Sequence, residues 1–320
     1  MLMLNAEQLK SLAPIARVID CLDEAFRRQH IVPPRQVVAI PGGEGGRLML
    51  CMPAFAPSGS GAVKISTVFP DNSTRALPTI QGLIIVFSET GEARAAMDGG
   101  AVTRLRTAAA SALASRYLSR AGSSRLAVLG TGAMAPYLAA AHCAVRPISR
   151  VTVWGRDRSK ALDAVARMRG LLDGSVQVRV EENVERAVRE ADIVSCCTSS
   201  GTPILQGAWL QPGTLVDLIG SFSPSRRESD DEVIRRSRIV VDTWEGAMSE
   251  AGDILEPMAR GVLVREDIAG ELADLVTGRI AGRTDARQIF TFKSVGTAIE
   301  DLATAQMILA AAEESKQSRA

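Results

Sequence analysis

Histidine is scarce in this sequence, with only His30 and His142 among 320 residues. Neither lies in an HExxH pattern or beside a cysteine cluster, so a zinc site has no support. His142 falls in an alanine-rich helical segment, where packing or exposure is the expected role. The five cysteines, Cys21, Cys51, Cys143, Cys196 and Cys197, lack CxxC spacing, and their odd number argues against a closed disulfide framework. They read as small hydrophobes of the core, although Cys196 and Cys197 end an apolar run where one of them could also approach a ligand. Charge of one sign is missing too. The 37 basic and 36 acidic residues leave a net +1, so no global field recruits nucleic acid or an anionic membrane. No stretch reaches the roughly 18 uninterrupted apolar residues of a membrane span. The opening MLMLNAEQLKSL lacks a basic region followed by a long apolar core. The expectation is a cytoplasmic protein without nucleic-acid or membrane partners.

What is present is enough apolar residue, 46% of the chain, for a substantial core, and a length that suggests two domains. The stretch from Arg125 to Ala135, RLAVLGTGAMA, runs an apolar strand into a glycine turn and a helix. Gly130 permits the turn, Gly132 lets the backbone approach a pyrophosphate, and Ala135 stands where the third glycine of a dinucleotide fingerprint would allow close packing. Exposed amides at the helix start would face the phosphates. After this turn, strand-length runs alternate with amphipathic segments: LAVLG, 134–145, RVTVW, 159–169, VQVRV, 183–190 and DIVSCC, followed by 214–220 and 238–244. That order predicts an α/β domain with a Rossmann-type doubly wound parallel sheet, its ligands at the carboxyl ends of the strands. The second strand ends in Val153-Trp154-Gly155-Arg156, without the carboxylate that usually selects NAD. Arg156 and Arg158 can instead hold a 2'-phosphate, making NADPH the preferred cofactor and NADH the alternative. A second reading of the same residues has Arg156 solvated and Asp157 capping the next helix.

The first half reads as an α+β domain, with a helical segment near 5–30 and short strands at 36–40, 47–52, 61–69 and 80–88. A helix over 104–119 opens with Arg104 and Arg106, cations at an end that favours anions. An anionic ligand would offset them. Arg35 and Lys64 could converge on the same group, or each could be an ordinary exposed charge.

In chain order, PPR at 33–35, AVKISTVFPDN at 62–72, LPTIQG at 77–82, TRLRTAAASALA at 103–114, VLGTGAMA at 128–135, IGSFSPSRRE at 219–228, EAGDI at 250–254 and FKSVGTAIEDLATA at 292–305 resemble the ornithine cyclodeaminase/mu-crystallin family over nearly the whole chain. The resemblance implies a substrate and dimerisation domain of residues 1–118 with 296–320, and a dinucleotide domain of residues 119–295. It implies a homodimer. Arg35, Lys64 and Arg106 would bind the substrate carboxylate and neighbouring polar atoms, with Lys64 also steering the proton. Thr79, Gly130, Thr131, Gly132, Ala133, Met134, Arg156, Thr198, Gly220 and Ser294 would line the cofactor, and Arg226 would stand where relatives often carry a nearby lysine.

The cyclodeaminase and alanine dehydrogenase branches resemble GxDxPGK in the loop after the fifth strand, whereas this sequence has Gly220-Ser221-Phe222-Ser223-Pro224. A phenyl ring cannot transfer protons. GSFSP resembles instead the loop of pyrroline-2-carboxylate and piperideine-2-carboxylate reductases. The expected activity is therefore NAD(P)H-dependent reduction of a small cyclic ketimine carboxylate to the cyclic amino acid. The alternatives are an NAD-dependent ornithine cyclodeaminase or amino-acid dehydrogenase in which Glu228 or Asp230 replaces the missing acid, and an NADPH-dependent small-ligand binding protein.

Overall fold

The computed structural model describes residues 1–42, 46–75 and 77–318. Their contacts separate into two units, Met1–Arg106 with Thr297–Ala320, and Thr107–Gly296. The first is α+β and the second a doubly wound parallel sheet, the fold class expected from the sequence.

The first unit contains β1 (Leu2–Leu4), α1 (Ala6–Leu12), α2 (Ile15–Phe26), β2 (Gln36–Ile40), β3 (Arg47–Phe55), β4 (Gly61–Val68), β5 (Ile80–Phe87) and β6 (Ala93–Asp98). The helical segment expected near 5–30 is two helices. Pro14, which lacks an N–H donor, caps the second without a side-chain hydrogen bond, while Asn5 and Gln8 close a reciprocal capping box on the first. The strands order as β1-β6-β5-β4-β3-β2, antiparallel except for β1 beside β6. Neither β1 nor β6 was anticipated, because one is three residues long and the other, ARAAMD, carries few strand-favouring side chains.

Register puts Met52, Lys64, Ile84 and Met97 side by side on one face of this sheet. All four are buried. Pairing puts Cys51, Ile65 and Leu83 on the opposite face.

Helix α3 (Gly99–Leu118) starts five residues before the expected Arg104, with Asp98 Oδ1 accepting from Ala101 N at 2.7 Å. Arg104 and Arg106 thus lie in its second turn, not at its amino end. The expected conflict between these cations and the helix terminus does not exist, and Arg106 is compensated in another way, described below. The division between the units falls inside this helix, after Arg106.

The second unit follows as β7 (Arg125–Leu129), α4 (Ala135–Val145), β8 (Arg150–Trp154), α5 (Arg158–Arg169), β9 (Gln177–Val180), α6 (Val184–Arg189), β10 (Ile193–Cys196), β11 (Leu215–Leu218), α7 (Asp231–Arg236), β12 (Ser237–Val241), α8 (Trp244–Glu250), α9 (Gly252–Ala259), β13 (Ile268–Glu271), α10 (Leu272–Val276) and β14 (Ile289–Lys293). Its eight parallel strands order as β13-β12-β14-β11-β10-β7-β8-β9. Connections reverse direction between β7 and β10, which is where such sheets open a crevice for ligands.

The chain then returns to the first unit as α11 (Ala298–Gln317), packed on α2 and on β3 to β5. Leu302, Ala305 and Ile308 bury its apolar side. The helix runs through Gln317, and residues 319 and 320 lie outside the described residues. Among the described residues no helix is long and apolar enough to cross a membrane.

Candidate active site

Register in the second unit aligns Leu129 with Trp154 and Cys196, Cys196 with Leu218, and Leu218 with Lys293. Strands β8, β7, β10, β11 and β14 therefore end level with one another. Gly130, Arg156, Thr198, Gly220 and Ser294 each follow one of these ends by one or two residues. Five cofactor residues expected from scattered motifs are thus brought to one rim of the sheet.

Gly130 has φ +132°, and a Cβ there would meet Cys197 Sγ at 2.7 Å and Cys197 O at 2.8 Å. Only glycine can make this turn beside β10. A Cβ on Gly132 would meet nothing within 4 Å, and no side chain caps the amino end of α4 at Met134. With Thr131, Ala133 and Met134 completing the turn, the segment leaves free amides and open space where a pyrophosphate group requires them. The residues present fit a dinucleotide. Arg167 of α5 was missed by sequence reasoning: its guanidinium donates to Thr131 O at 2.7 Å and so braces the turn.

At the end of β8 the three charged residues divide their tasks. Asp157 caps α5, accepting from Ser159 N at 2.9 Å and Lys160 N at 3.2 Å, and Arg158 pairs with Glu182 at 2.6 Å. Arg156 is exposed. Burial pushes the Cys196 and Cys197 thiols upward in pKa, so both stay protonated and neither is a nucleophile at neutral pH.

A buried carboxylate organises the neighbouring strand ends. Glu228 accepts from Thr198 N at 2.6 Å, Thr198 Oγ1 at 2.9 Å and Gly220 N at 2.7 Å. It ties the end of β10 to that of β11. Burial raises its pKa to about 7 against the opposing charge of Lys293. Asp253, from the EAGDI segment, accepts from Glu228 N at 2.9 Å and pairs with Lys293 at 3.2 Å, and Lys293 donates to Ser221 O at 2.6 Å. Ser294 Oγ donates to Asp242 Oδ2 at 3.0 Å, and the same oxygen accepts from Val295 N and Gly296 N. Asp230 caps α7 and accepts from Gly207 N at 2.9 Å. Neither Glu228 nor Asp230 is therefore a free acid for the 220–224 loop, where Phe222 is exposed. Arg226 is also exposed on this loop, and its carbonyl accepts from Ser221 Oγ.

The first unit gathers a second charged cluster. Lys64 projects from β4 to the buried side, and its Nζ lies 2.7 Å from Asp301 Oδ2. Arg106 reaches Asp301 Oδ1 through Nε at 3.1 Å and Glu300 Oε2 through NH1 at 2.6 Å. All four side chains are at least nine-tenths buried. Arg35, half-buried just before β2, acts electrostatically on both Lys64 and Asp301. Burial, followed by the Arg106 charge, draws the Lys64 pKa down to about 8, while Asp301 opposes the shift. Lys64 and Asp301 hold each other in opposite directions: the Lys64 and Arg106 cations keep the Asp301 carboxyl below its usual range despite burial.

Thr79 is exposed in the first unit, where its carbonyl accepts from Phe69 N at 2.8 Å. Glu300 and Asp301 were not singled out from sequence. The available signal was a pair of acids in the first turn of a helix that is otherwise rich in alanine and apolar residues.

The whole chain has known counterparts. The model of the ornithine cyclodeaminase/mu-crystallin family matches residues 1–316. A delta(1)-pyrroline-2-carboxylate reductase of Colwellia psychrerythraea is 36% identical over 313 aligned positions, covering 97% of this chain and 98% of that protein. Among solved structures, the Thermococcus litoralis delta(1)-pyrroline-2-carboxylate reductase in complex with NADH and L-proline superposes with TM-score 0.94 at 33% identity, over 99% of this chain and 98% of that one. An archaeal alanine dehydrogenase dimer with bound NAD gives TM-score 0.90 at 29% identity, over 99% and 97%. The glycine turn, the loop without an aspartate and the buried cations thus share one inherited framework, and the chain belongs to the ornithine cyclodeaminase/mu-crystallin family.

Proposed function

We propose that this protein is an NAD(P)H-dependent ketimine reductase that converts pyrroline-2-carboxylate or piperideine-2-carboxylate to the cyclic amino acid. The observation that carries the reading is the buried Lys64 ammonium, poised near neutrality beside Arg106. Reduction of a preformed cyclic imine needs an anchor for the carboxylate and a cation near the imine nitrogen, and no nucleophile or loop acid. Arg35 and Arg106 hold the carboxylate. Lys64 hydrogen-bonds the substrate and steers the proton on its nitrogen. The bound nicotinamide supplies the hydride for the C=N carbon. The residues holding that cofactor are Gly130 to Met134, Arg156, Thr198, Gly220, Arg226, Ser294 and Thr79. The relatives of known activity named above support the same chemistry, and the engaged carboxylates of Glu228 and Asp230 weigh against amine displacement.

NADPH is the preferred donor in this reading. With Asp157 spent on its helix cap and Arg158 paired, the exposed Arg156 is the group available for a 2'-phosphate. The solved neighbours carry NADH or NAD, so cofactor choice needs its own measurement. The protein works as a homodimer. Val38, Met49, Ile65 and Leu83 expose apolar side chains at 49%, 36%, 40% and 48% on the first unit's sheet, and a second copy covers them.

The deciding experiment follows NADPH oxidation with pyrroline-2-carboxylate, piperideine-2-carboxylate, and pyruvate plus ammonia, beside an ornithine and NAD control for ammonia release. Rapid turnover of a cyclic ketimine is expected. Ammonia release from ornithine would replace the proposal with a cyclodeaminase, and tight NADPH binding without any turnover would replace it with a ligand-binding role.

A further inference from the structure

We propose that Asp301 is a positioning residue that fixes Lys64 and Arg106 as one anion-binding pair and keeps the buried lysine cationic. The proposal deepens the ketimine-reductase reading and rests on it. Each carboxylate oxygen of Asp301 serves one cation: Oδ2 faces Lys64 Nζ at 2.7 Å and Oδ1 faces Arg106 Nε at 3.1 Å. A single side chain of α11 thereby sets the spacing between a cation on β4 and a cation on α3. Glu300, its neighbour in sequence, pairs with Arg106 at 2.6 Å. The two acids therefore have separable roles.

Lys64 has little else to keep its proton. Its register neighbours on β3 and β5 are Met52 and Ile84, both apolar and buried. The charged groups that act on it are Arg106 of α3, Arg35 before β2, and Asp301 of α11. Two of these three are cations that favour the neutral amine, and burial favours it further. Asp301 is the opposing anion. Removing its charge while leaving its shape lets both effects act unopposed, and the lysine loses its proton at lower pH.

The test is the pH dependence of L-proline binding to the NADPH-loaded protein, measured by calorimetry, because this ligand has no imine nitrogen to titrate. In the wild type, affinity falls as pH rises through about 8, where Lys64 loses its charge. In D301N the fall begins at least about one pH unit lower, so that binding near pH 7.5 is at least roughly threefold weaker, in keeping with the usual effect of one adjacent charge. E300Q weakens binding without moving the onset. In K64R, whose guanidinium does not titrate, the fall near pH 8 disappears.

An onset in D301N equal to that of the wild type overturns the proposal, as does an onset that moves equally in E300Q. Should D301N not fold, as judged by circular dichroism, K64R decides alone: a fall that survives in K64R means that Lys64 is not the group being held. These failures are distinct from failure of the functional reading, which shows as absence of ketimine turnover in the wild type.

Discussion

Lys64 and Arg106 illustrate how single residues acquire chemistry from burial. An exposed lysine near its ordinary pKa is a solvated charge, whereas Lys64, drawn down to about 8 and paired at 2.7 Å, can exchange a proton near neutral pH. Replacing Lys64 or Arg106 by alanine should lower kcat/KM for ketimine reduction by on the order of 10²-fold or more, because a buried charge-assisted contact to the substrate is worth about 2–5 kcal/mol. Each variant also removes one cationic partner of a buried carboxylate and should lose stability, by about 3–5 kcal/mol. Steady-state kinetics with thermal melts check both, and near-normal turnover from the two variants would reject their roles. At the nucleotide end, R156A should weaken NADPH binding by roughly tenfold and leave NADH binding unchanged, since the lost partner is a single exposed guanidinium. Equal loss for both cofactors would remove Arg156 as the selector. The position of Arg156 was legible from sequence because it lies two residues beyond the end of β8. Asp301 was not, since nothing local says that an acid near the start of a helix will meet a lysine 237 positions earlier, the separation of Lys64 and Asp301 along the chain.

Elements are where local pattern and tertiary outcome part. The alternation of apolar runs and amphipathic segments after residue 125 predicted β7 to β11 closely, since parallel strands buried on both faces are nearly continuous apolar runs. Strands β13 and β14 escaped for other reasons: β13, IAGE, carries few strand-favouring side chains, and β14 enters the sheet between β11 and β12, out of chain order. The start of α3 at Gly99 also ran against propensity, for two glycines open a helix whose cap is Asp98. The joined ends of β10 and β11 allow a prediction at this scale. Glu228 binds its proton more tightly in the folded state, near pH 7, than an unperturbed glutamate does, so its contribution to stability is present at low pH and is lost as pH rises from about 4.5 to about 7. E228Q cannot lose that proton. Its melting temperature should vary less than the wild type's between pH 5 and 7, and its NADPH affinity should fall, because an amide cannot match three donors from Thr198 and Gly220. Parallel pH profiles of the two melting curves would refute the assignment.

At the scale of the whole molecule, the exposed apolar face of the first unit's sheet carries the prediction. L83D places a charge among Val38, Met49 and Ile65, and should convert a dimer of twice 34.0 kDa to a monomer in light scattering while leaving circular dichroism unchanged. A wild-type mass of one chain would end the dimer proposal. By itself the sequence determined the α/β class, the glycine turn, and the absence of an acid in the 220–224 loop, because these depend on backbone periodicity, on a few φ angles and on residue identity. Only the tertiary structure decided what became of the charges. It placed Glu228 across two strand ends and set Asp301 between Lys64 and Arg106. Those outcomes rest on contacts between residues far apart in the chain and on their removal from water, and electrostatic energies are large enough to choose a role only where burial has lowered the local dielectric.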